Sequence, residues 1–232
     1  MVMKSCVPFL GLLACLRLAT KYQADQLRSL AISWLKKDLA TTRNDFIHAA
    51  DCWVGIEAEN EQALKIDVIN LLYETNSHSL LPTALLLCVH GKADNGPDPL
   101  QGAYRTDGSF AMLCPEGLKA LANGRSKIHY DLCDELYART GLPSECAAKE
   151  HCTQVKCNFL RTCLHEGWST IPEWFLDNWE METTLQNHLS GLCIFCEEAY
   201  SEAQDDYADK LWALIPEYFG FPPWAVLLKS LD

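Results

Sequence analysis

Two cysteines one helical turn apart, Cys193 and Cys196, belong to an apolar stripe in the C-terminal part of the chain. The stripe repeats at i, i+4, i+7, i+8, i+11 and i+15, which is the spacing of one helix face. Its members are Leu185, Leu189, Leu192, Cys193, Cys196 and Tyr200. The pattern predicts a long helix over residues 183–214 whose two thiols face the protein interior, as half of a metal site would require.

The rest of the chain also follows helical spacing, and no persuasive run alternates with a period of two. We therefore predict an all-α fold, an irregular multi-helix bundle that opens with a helical hairpin over 10–22 and 24–38. The second helix of this hairpin has an apolar stripe consisting of Leu27, Leu30, Ala31, Trp34 and Leu35. Further helices are predicted near 44–53, 61–75, from Leu80 onward, after Pro115, and near 127–139 and 150–166, and a short piece at 171–180 precedes the long helix. Trp224, which follows two prolines, is predicted to fold back onto the long C-terminal helix.

The predicted helices fall into two parts. Residues 1–90 form an N-terminal helical part, and residues 113–232 form a C-terminal helical part. Between them, residues 91–112 are rich in glycine and proline and predict a loop.

Composition narrows the range of partners. The formal net charge of −12 disfavours nucleic acid and anionic membrane surfaces, which proteins bind through Lys and Arg clusters. The apolar run Cys6–Leu16 after Lys4 resembles a short signal sequence, but its helical face continues without a cleavage-like break. No later run reaches the roughly 18 apolar residues that span a bilayer. We expect an intracellular protein with protein partners and no membrane contact; its oligomeric state stays open.

The twelve cysteines are the unusual feature of the composition. In a reducing compartment such a number suggests buried thiols together with a metal. A tetrahedral structural zinc site needs four soft ligands from two chain segments that the fold brings together. Cys146 and Cys152 form the second pair, so the predicted zinc ligands are Cys146, Cys152, Cys193 and Cys196. His151 and Cys157 are the substitutes if one of these four is not a ligand.

Three alternatives stay open at this point. The four thiols could simply pack as small apolar side chains, which is the usual state of free cysteine. A secreted, disulfide-bonded protein would also use many cysteines. A thiol-dependent enzyme could use Cys133 with His129 one turn earlier, since a neighbouring imidazole activates a thiol nucleophile. No third orienting group accompanies that pair, so we expect no enzymatic activity and no catalytic residues.

Several motifs, taken together and in order, resemble a known family. They are the segment from Leu16 to Arg28 (LRLATKYQADQLR), Leu80-Leu81-Pro82-Thr83-Ala84, Cys193-x-x-Cys196, Leu211-Trp212, Ile215-Pro216, Phe219-Gly220 and Pro222-Pro223-Trp224. They are similar to the region that follows the BTB/POZ core in a large group of fungal proteins, best known from mushroom-forming species. The resemblance implies closing helices of that module followed by a helical extension similar to BACK regions.

The resemblance also implies a function. In related proteins the BTB portion dimerises and recruits a cullin scaffold, while the helical extension orients the substrate reader. This chain starts where the BTB strands should already be finished, so neither property is expected to transfer to it directly. What remains is an expected non-enzymatic interaction module, related to the substrate receptors of ubiquitin ligases but without the BTB core.

Overall fold

The computed structural model describes residues 9–49, 61–89, 98–166 and 190–229. Within them the chain is helical apart from turns and one short hairpin, which confirms the all-α prediction. The nine α-helices of these ranges are α1 (Phe9–Lys21), α2 (Asp25–Asp38), α3 (Arg43–Ala49), α4 (Glu61–Glu74), α5 (Leu81–Val89), α6 (Pro115–Ala138), α7 (Lys149–Glu166), α8 (Ile194–Tyr218) and α9 (Trp224–Leu227). Short 3-10 turns lie at His78–Leu80 and Pro99–Gln101.

Helices α1 and α2 form the predicted N-terminal hairpin and pack against each other. Asp25 in the first turn of α2 and two lysines in its last turn suit the helix dipole. Leu16 and Leu35 are fully buried, and each such leucine contributes roughly 1.5–3 kcal/mol to stability. Leu27 and Leu30 are 52% and 55% exposed, so this part of the apolar stripe of α2 lies outside the core. The apolar stripe of α2 is wider than the face that packs against the core. Ile32 lies on the buried side of the helix.

Helices α4, α5, α6 and α8 pack around one core. Pro82 lies in the first turn of α5, as predicted, where its missing N–H costs no helical hydrogen bond. Helix α3 begins after Thr42, whose hydroxyl accepts a hydrogen bond from the N–H of Asp45 at 3.1 Å. This is the expected cap in the polar stretch before the helix.

The chain from Pro115 to Ala138 is one continuous helix, so the prediction of two separate helices is wrong. Gly124, which weakens a sequence-based helix assignment, lies where α6 meets Phe219. A Cβ atom on Gly124 would lie 2.1 Å from Cδ1 of the Phe219 ring. The glycine therefore permits close packing and does not end the helix.

Part of the predicted 91–112 loop is ordered into a small antiparallel hairpin. Strands β1 (Ala103–Tyr104) and β2 (Phe110–Ala111) pair with Ala103 opposite Ala111. Gly108 turns between them with φ of 80°, a conformation that glycine adopts without steric cost. Strands of two residues are too short for a period-two pattern to be visible in the sequence.

The C-terminal segment folds back on α8, as predicted for Trp224. Its indole ring stacks on Trp212 with ring centroids 5.5 Å apart, and its N–H donates to the Trp212 carbonyl oxygen at 2.9 Å. Predicted features that fall in 167–189, including the short piece at 171–180, lie outside the described residues.

Candidate metal centre

Four cysteine sulfurs from two distant segments meet beside the starts of α7 and α8. Cys146 lies in the turn before α7, where its N–H donates to the Pro143 carbonyl oxygen at 3.1 Å. Cys152 lies in the first turn of α7. Cys193 is the N-cap residue of α8, and Cys196 lies in the first turn of that helix. Each segment thus supplies one cysteine outside a helix and one inside a first turn.

The spacing of the sulfurs is that of a four-sulfur metal site. All four Sγ atoms lie within 4.8 Å of one another, and the Sγ atoms of Cys193 and Cys146 are 3.8 Å apart. Four sulfurs at tetrahedral positions about 2.3 Å from a zinc ion would be about 3.8 Å apart. A disulfide requires about 2.05 Å, and these cysteines are free thiols. The four cysteines lie close together and could bind a metal ion.

The cluster is largely shielded from water. Cys152 and Cys196 have no exposed surface, Cys146 is buried, and Cys193 is partly exposed. Apolar side chains close the remaining sides, namely those of Leu142, Ala148 and Leu192. Such a shell excludes competing water ligands and favours a closed site.

Backbone N–H groups point at the sulfurs. The N–H of Cys193 donates to Sγ of Cys152 at 3.4 Å. The sulfur of Cys193 accepts from the N–H groups of Cys196 and Ala147, which lower the pKa of this thiol to about 6. Burial raises the pKa of the neighbouring Cys196 thiol. N–H donors of this kind stabilise the thiolate form that binds metal.

The two helix starts add to the same electrostatic effect. The N-terminal ends of α7 and α8 both face the cluster, because Cys152 and Cys196 lie in their first turns. A helix N-terminus carries roughly half a positive charge, which stabilises nearby anions. Four thiolates around a divalent cation carry a net negative charge, so the helix ends favour an occupied site.

One part of the prediction is wrong in its local structure. Cys193 does not lie inside a helix, because α8 begins at Ile194 and is preceded by a turn through Ser190 and Gly191. Gly191 has φ of 110°, and a Cβ atom at this position would lie 3.2 Å from Nε2 of His151. Residues 183–189 of the predicted helix lie outside the described residues. The cysteine pair therefore spans the residue before α8 and the first turn of that helix.

The two substitute ligands lie apart from the group of four. His151 and Cys157 are both exposed, and neither belongs to the sulfur cluster. Gly191 is the residue that sequence reasoning missed, since it sets the turn that places Cys193. A Ser-Gly pair directly before a Leu-Cys pair is a helix-breaking signal that could have revealed this turn.

The alternative catalytic pair has electrostatics opposite to those of an activated nucleophile. Burial and the neighbouring Asp134 raise the pKa of the Cys133 thiol. Burial and Arg125 lower the pKa of His129. A reactive cysteine needs a depressed thiol pKa, usually beside a cationic imidazole.

Comparison with known proteins found no matching family model, no significantly similar curated protein and no significantly similar solved structure. Among the described residues, no helix combines the length and the apolar character needed to cross a bilayer.

Proposed function

We propose that the chain is a non-enzymatic helical protein-interaction domain whose C-terminal part is held together by a structural zinc ion. The single observation that supports the metal is the convergence of Cys146, Cys152, Cys193 and Cys196 within 4.8 Å. The zinc ion would join the start of α7 to the start of α8 across more than forty intervening residues.

Zinc is the metal that the ligand set favours. Thiolates are soft ligands, and a tetrahedral set of four sulfurs is typical of structural zinc or of iron–sulfur chemistry. Four protein ligands fill the coordination sphere and leave no open position for a substrate, which favours a structural role over a catalytic one. Reduced thiols of this kind also favour an intracellular location.

The α1–α2 hairpin is the proposed partner-binding surface. Leu18, Tyr22, Leu27 and Leu30 are each more than half exposed on it. Several large exposed apolar side chains on one helical hairpin are typical of an interaction site. The ammonium group of Lys37 lies 3.8 Å from the centre of the Trp34 ring, so a cation borders this surface.

Charge indicates what kind of partner fits. Residues 9–38 contain five Lys or Arg and two Asp, a net charge of +3 that the pairing of Arg17 with Glu74 lowers to +2, in a chain whose total is −12. A partner segment with apolar side chains flanked by Asp and Glu would complement this surface. The motif resemblance to fungal BTB/POZ proteins supports an adaptor role of this kind, related to ubiquitin-ligase substrate receptors.

Cobalt substitution tests the metal part of the proposal. Purified protein refolded with Co²⁺ is expected to show the intense visible bands of a tetrahedral four-thiolate complex, and Zn²⁺ should abolish them. Cys196→Ser should weaken the bands, whereas Cys157→Ser, outside the cluster, should leave them unchanged. Bands typical of octahedral oxygen ligation, or no bands, would contradict the site.

The interaction surface is tested by a double substitution, Leu27→Glu with Leu30→Glu. Both side chains are exposed, so the fold should survive while partner capture from a native cell extract falls at least tenfold. Val226→Glu is the matched control, because Val226 is equally exposed but lies in α9. Equal capture by the two variants would exclude the hairpin as the binding surface.

A further inference from the structure

The four cysteines differ in their position relative to the helices. Cys146 and Cys193 lie in turns, outside α7 and α8. Cys152 and Cys196 lie within the first turns of these helices, where their N–H groups donate to Ala148 and Cys193 carbonyl oxygens at 2.9 Å. The cluster therefore has one pair outside the helices, Cys146 and Cys193, and one pair within the first helical turns.

The sulfurs of the pair outside the helices lie close together. Sγ of Cys193 and Sγ of Cys146 are 3.8 Å apart, whereas a disulfide bond requires about 2.05 Å. The two turns need to approach by less than about 2 Å for a bond to form. Movement of this size is ordinary for surface turns.

Solvent access also distinguishes Cys146 and Cys193 from the other two cysteines. Cys193 is partly exposed, and the neighbouring Ser190, Gly191 and Ala147 are exposed. A shallow surface depression lined by residues 146–151 reaches Cys146. Cys152 and Cys196 have no exposed surface, so a small polar oxidant reaches the turn cysteines first.

We propose that Cys146 and Cys193 form an oxidative modification site, at which a peroxide joins the two sulfurs in a disulfide and releases the metal ion. This inference rests on the proposed metal site for the release step. The bond between Cys146 and Cys193 follows from the positions of the thiols alone.

The chemistry balances with one peroxide per site. The sulfur of Cys193 attacks one peroxide oxygen; a sulfur–oxygen bond forms, the oxygen–oxygen bond breaks, and the departing hydroxide takes a proton to become water. The sulfur of Cys146 then attacks the sulfur of Cys193; the disulfide forms and the sulfur–oxygen bond breaks, releasing a second water after protonation. Two cysteines are oxidised by two electrons in total, and the peroxide is reduced to two waters.

Metal release follows because the disulfide removes two of the four thiolate ligands. Cys152 and Cys196 remain as thiols, and two ligands hold zinc far less tightly than four. The covalent bond keeps the two turns joined after the metal has left. A dithiol reductant together with Zn²⁺ restores the original state, so the modification is reversible.

The test uses the full chain, purified under reducing conditions and then treated with one equivalent of hydrogen peroxide. Released metal is quantified, and disulfides are mapped by mass spectrometry of non-reduced peptides. We expect a link between Cys146 and Cys193 in most molecules, one metal ion released per link, and recovery with dithiothreitol and Zn²⁺. Cys157→Ala is the control, because Cys157 is exposed but outside the cluster; its link yield should match wild type.

Other products would overturn the inference. A link between Cys152 and Cys196, a link between Cys193 and Cys196, or oxidation confined to Cys157 would each do so. If the purified protein holds no metal, the proposed metal site fails, and the same peptide map still decides the disulfide. Absence of the link between Cys146 and Cys193 in that protein contradicts this inference separately.

Discussion

The indole N–H of Trp224 donates to the carbonyl oxygen of Trp212, which is the helical acceptor that Pro216 leaves without its usual donor. In an α-helix the N–H of residue 216 would bond to this carbonyl, but proline has no N–H. The returning C-terminal segment thus replaces a hydrogen bond that the α8 sequence removes. It also covers Trp212 with a stacked ring.

Removing the indole N–H of Trp224 is expected to lower the stability of the fold. Trp224→Phe keeps an aromatic ring but leaves the Trp212 carbonyl without the indole N–H. We expect the free energy of unfolding in urea to fall by about 1–2 kcal/mol.

A double-mutant cycle isolates the hydrogen bond. In a Pro216→Ala background the helix regains its own N–H, so Trp224→Phe should cost about 1 kcal/mol less than in wild type. Equal costs in the two backgrounds would show that the indole contributes by stacking alone.

The contact between Gly124 and Phe219 predicts opposite effects for the same substitution at two glycines. Gly124→Ala places a methyl group against a buried ring, so the free energy of unfolding should fall by about 1–3 kcal/mol. Gly11→Ala in α1 meets no atom within 4 Å, and it should raise stability by about 0.4–1 kcal/mol. Chemical denaturation of both variants checks the pair, and a stabilising Gly124→Ala would contradict the close packing.

Removing the buried charge of Arg139 is expected to reduce the free energy of unfolding strongly. Its buried guanidinium donates to Glu135 at 2.7 Å and to the Ala203 carbonyl oxygen at 2.9 Å, and it lies over the Tyr200 ring. Arg139→Met leaves both acceptors without this donor, so the unfolding free energy should fall by about 2–4 kcal/mol.

The matched control for Arg139 is Arg17→Met. Arg17 pairs with Glu74 at 2.9 Å, but both side chains are about half exposed. Exposed pairs contribute about 0–1 kcal/mol. Similar losses in the two variants, measured by urea denaturation, would contradict the assigned burial of Arg139.

Alkaline pH should destabilise the fold through Tyr73, which is partly buried, and Tyr218, which is buried. Burial, with the nearby Cys114 and Glu116 second, raises the pKa of Tyr73 from its ordinary value of 10.0 to about 12. Burial also raises the pKa of Tyr218, whose hydroxyl donates to Asp131. The folded state keeps protons that the unfolded chain loses above pH 10, so stability is complete below pH 10 and falls as pH rises toward 12.

Phenolate absorbance and thermal unfolding across this pH range measure the effect. Tyr73→Phe should reduce the alkaline loss of stability, and Tyr137→Phe, at an exposed ring, is the control. If both variants and the wild type lose the same amount of stability at alkaline pH, the effect comes from groups other than Tyr73.

The sequence was sufficient to predict the cysteine cluster but not its local structure. Each of two segments carries a pair of closely spaced cysteines, so a fold that brings the segments together also brings four thiols together. The prediction of four adjacent thiols agrees with the structure for this reason. The predicted helix through Cys193 is wrong because the apolar stripe continues across Gly191, while the backbone there turns with positive φ. Periodicity reports which side chains are apolar and does not report where the backbone leaves the helix.

The same limit explains the exposed hairpin leucines. Leu27, Leu30, Ile32 and Leu35 cover more of the α2 circumference than one neighbouring helix can bury. The side of α2 that carries Ile32 is buried. Which side is buried depends on packing against α1 and the rest of the core, which the sequence of α2 alone does not specify. The return of Trp224 onto α8 was predictable because this large aromatic residue follows two prolines, which cannot continue a helix.

The metal content of the protein tests the central claim most directly. Full-length protein made without added chelator is analysed for zinc by plasma mass spectrometry, alongside Cys196→Ser and Cys157→Ser. We expect about one zinc per chain in wild type and Cys157→Ser, and a severalfold lower content in Cys196→Ser. Less than about half an equivalent in wild type, unchanged by Cys196→Ser, would contradict a zinc ion held by the four cysteines.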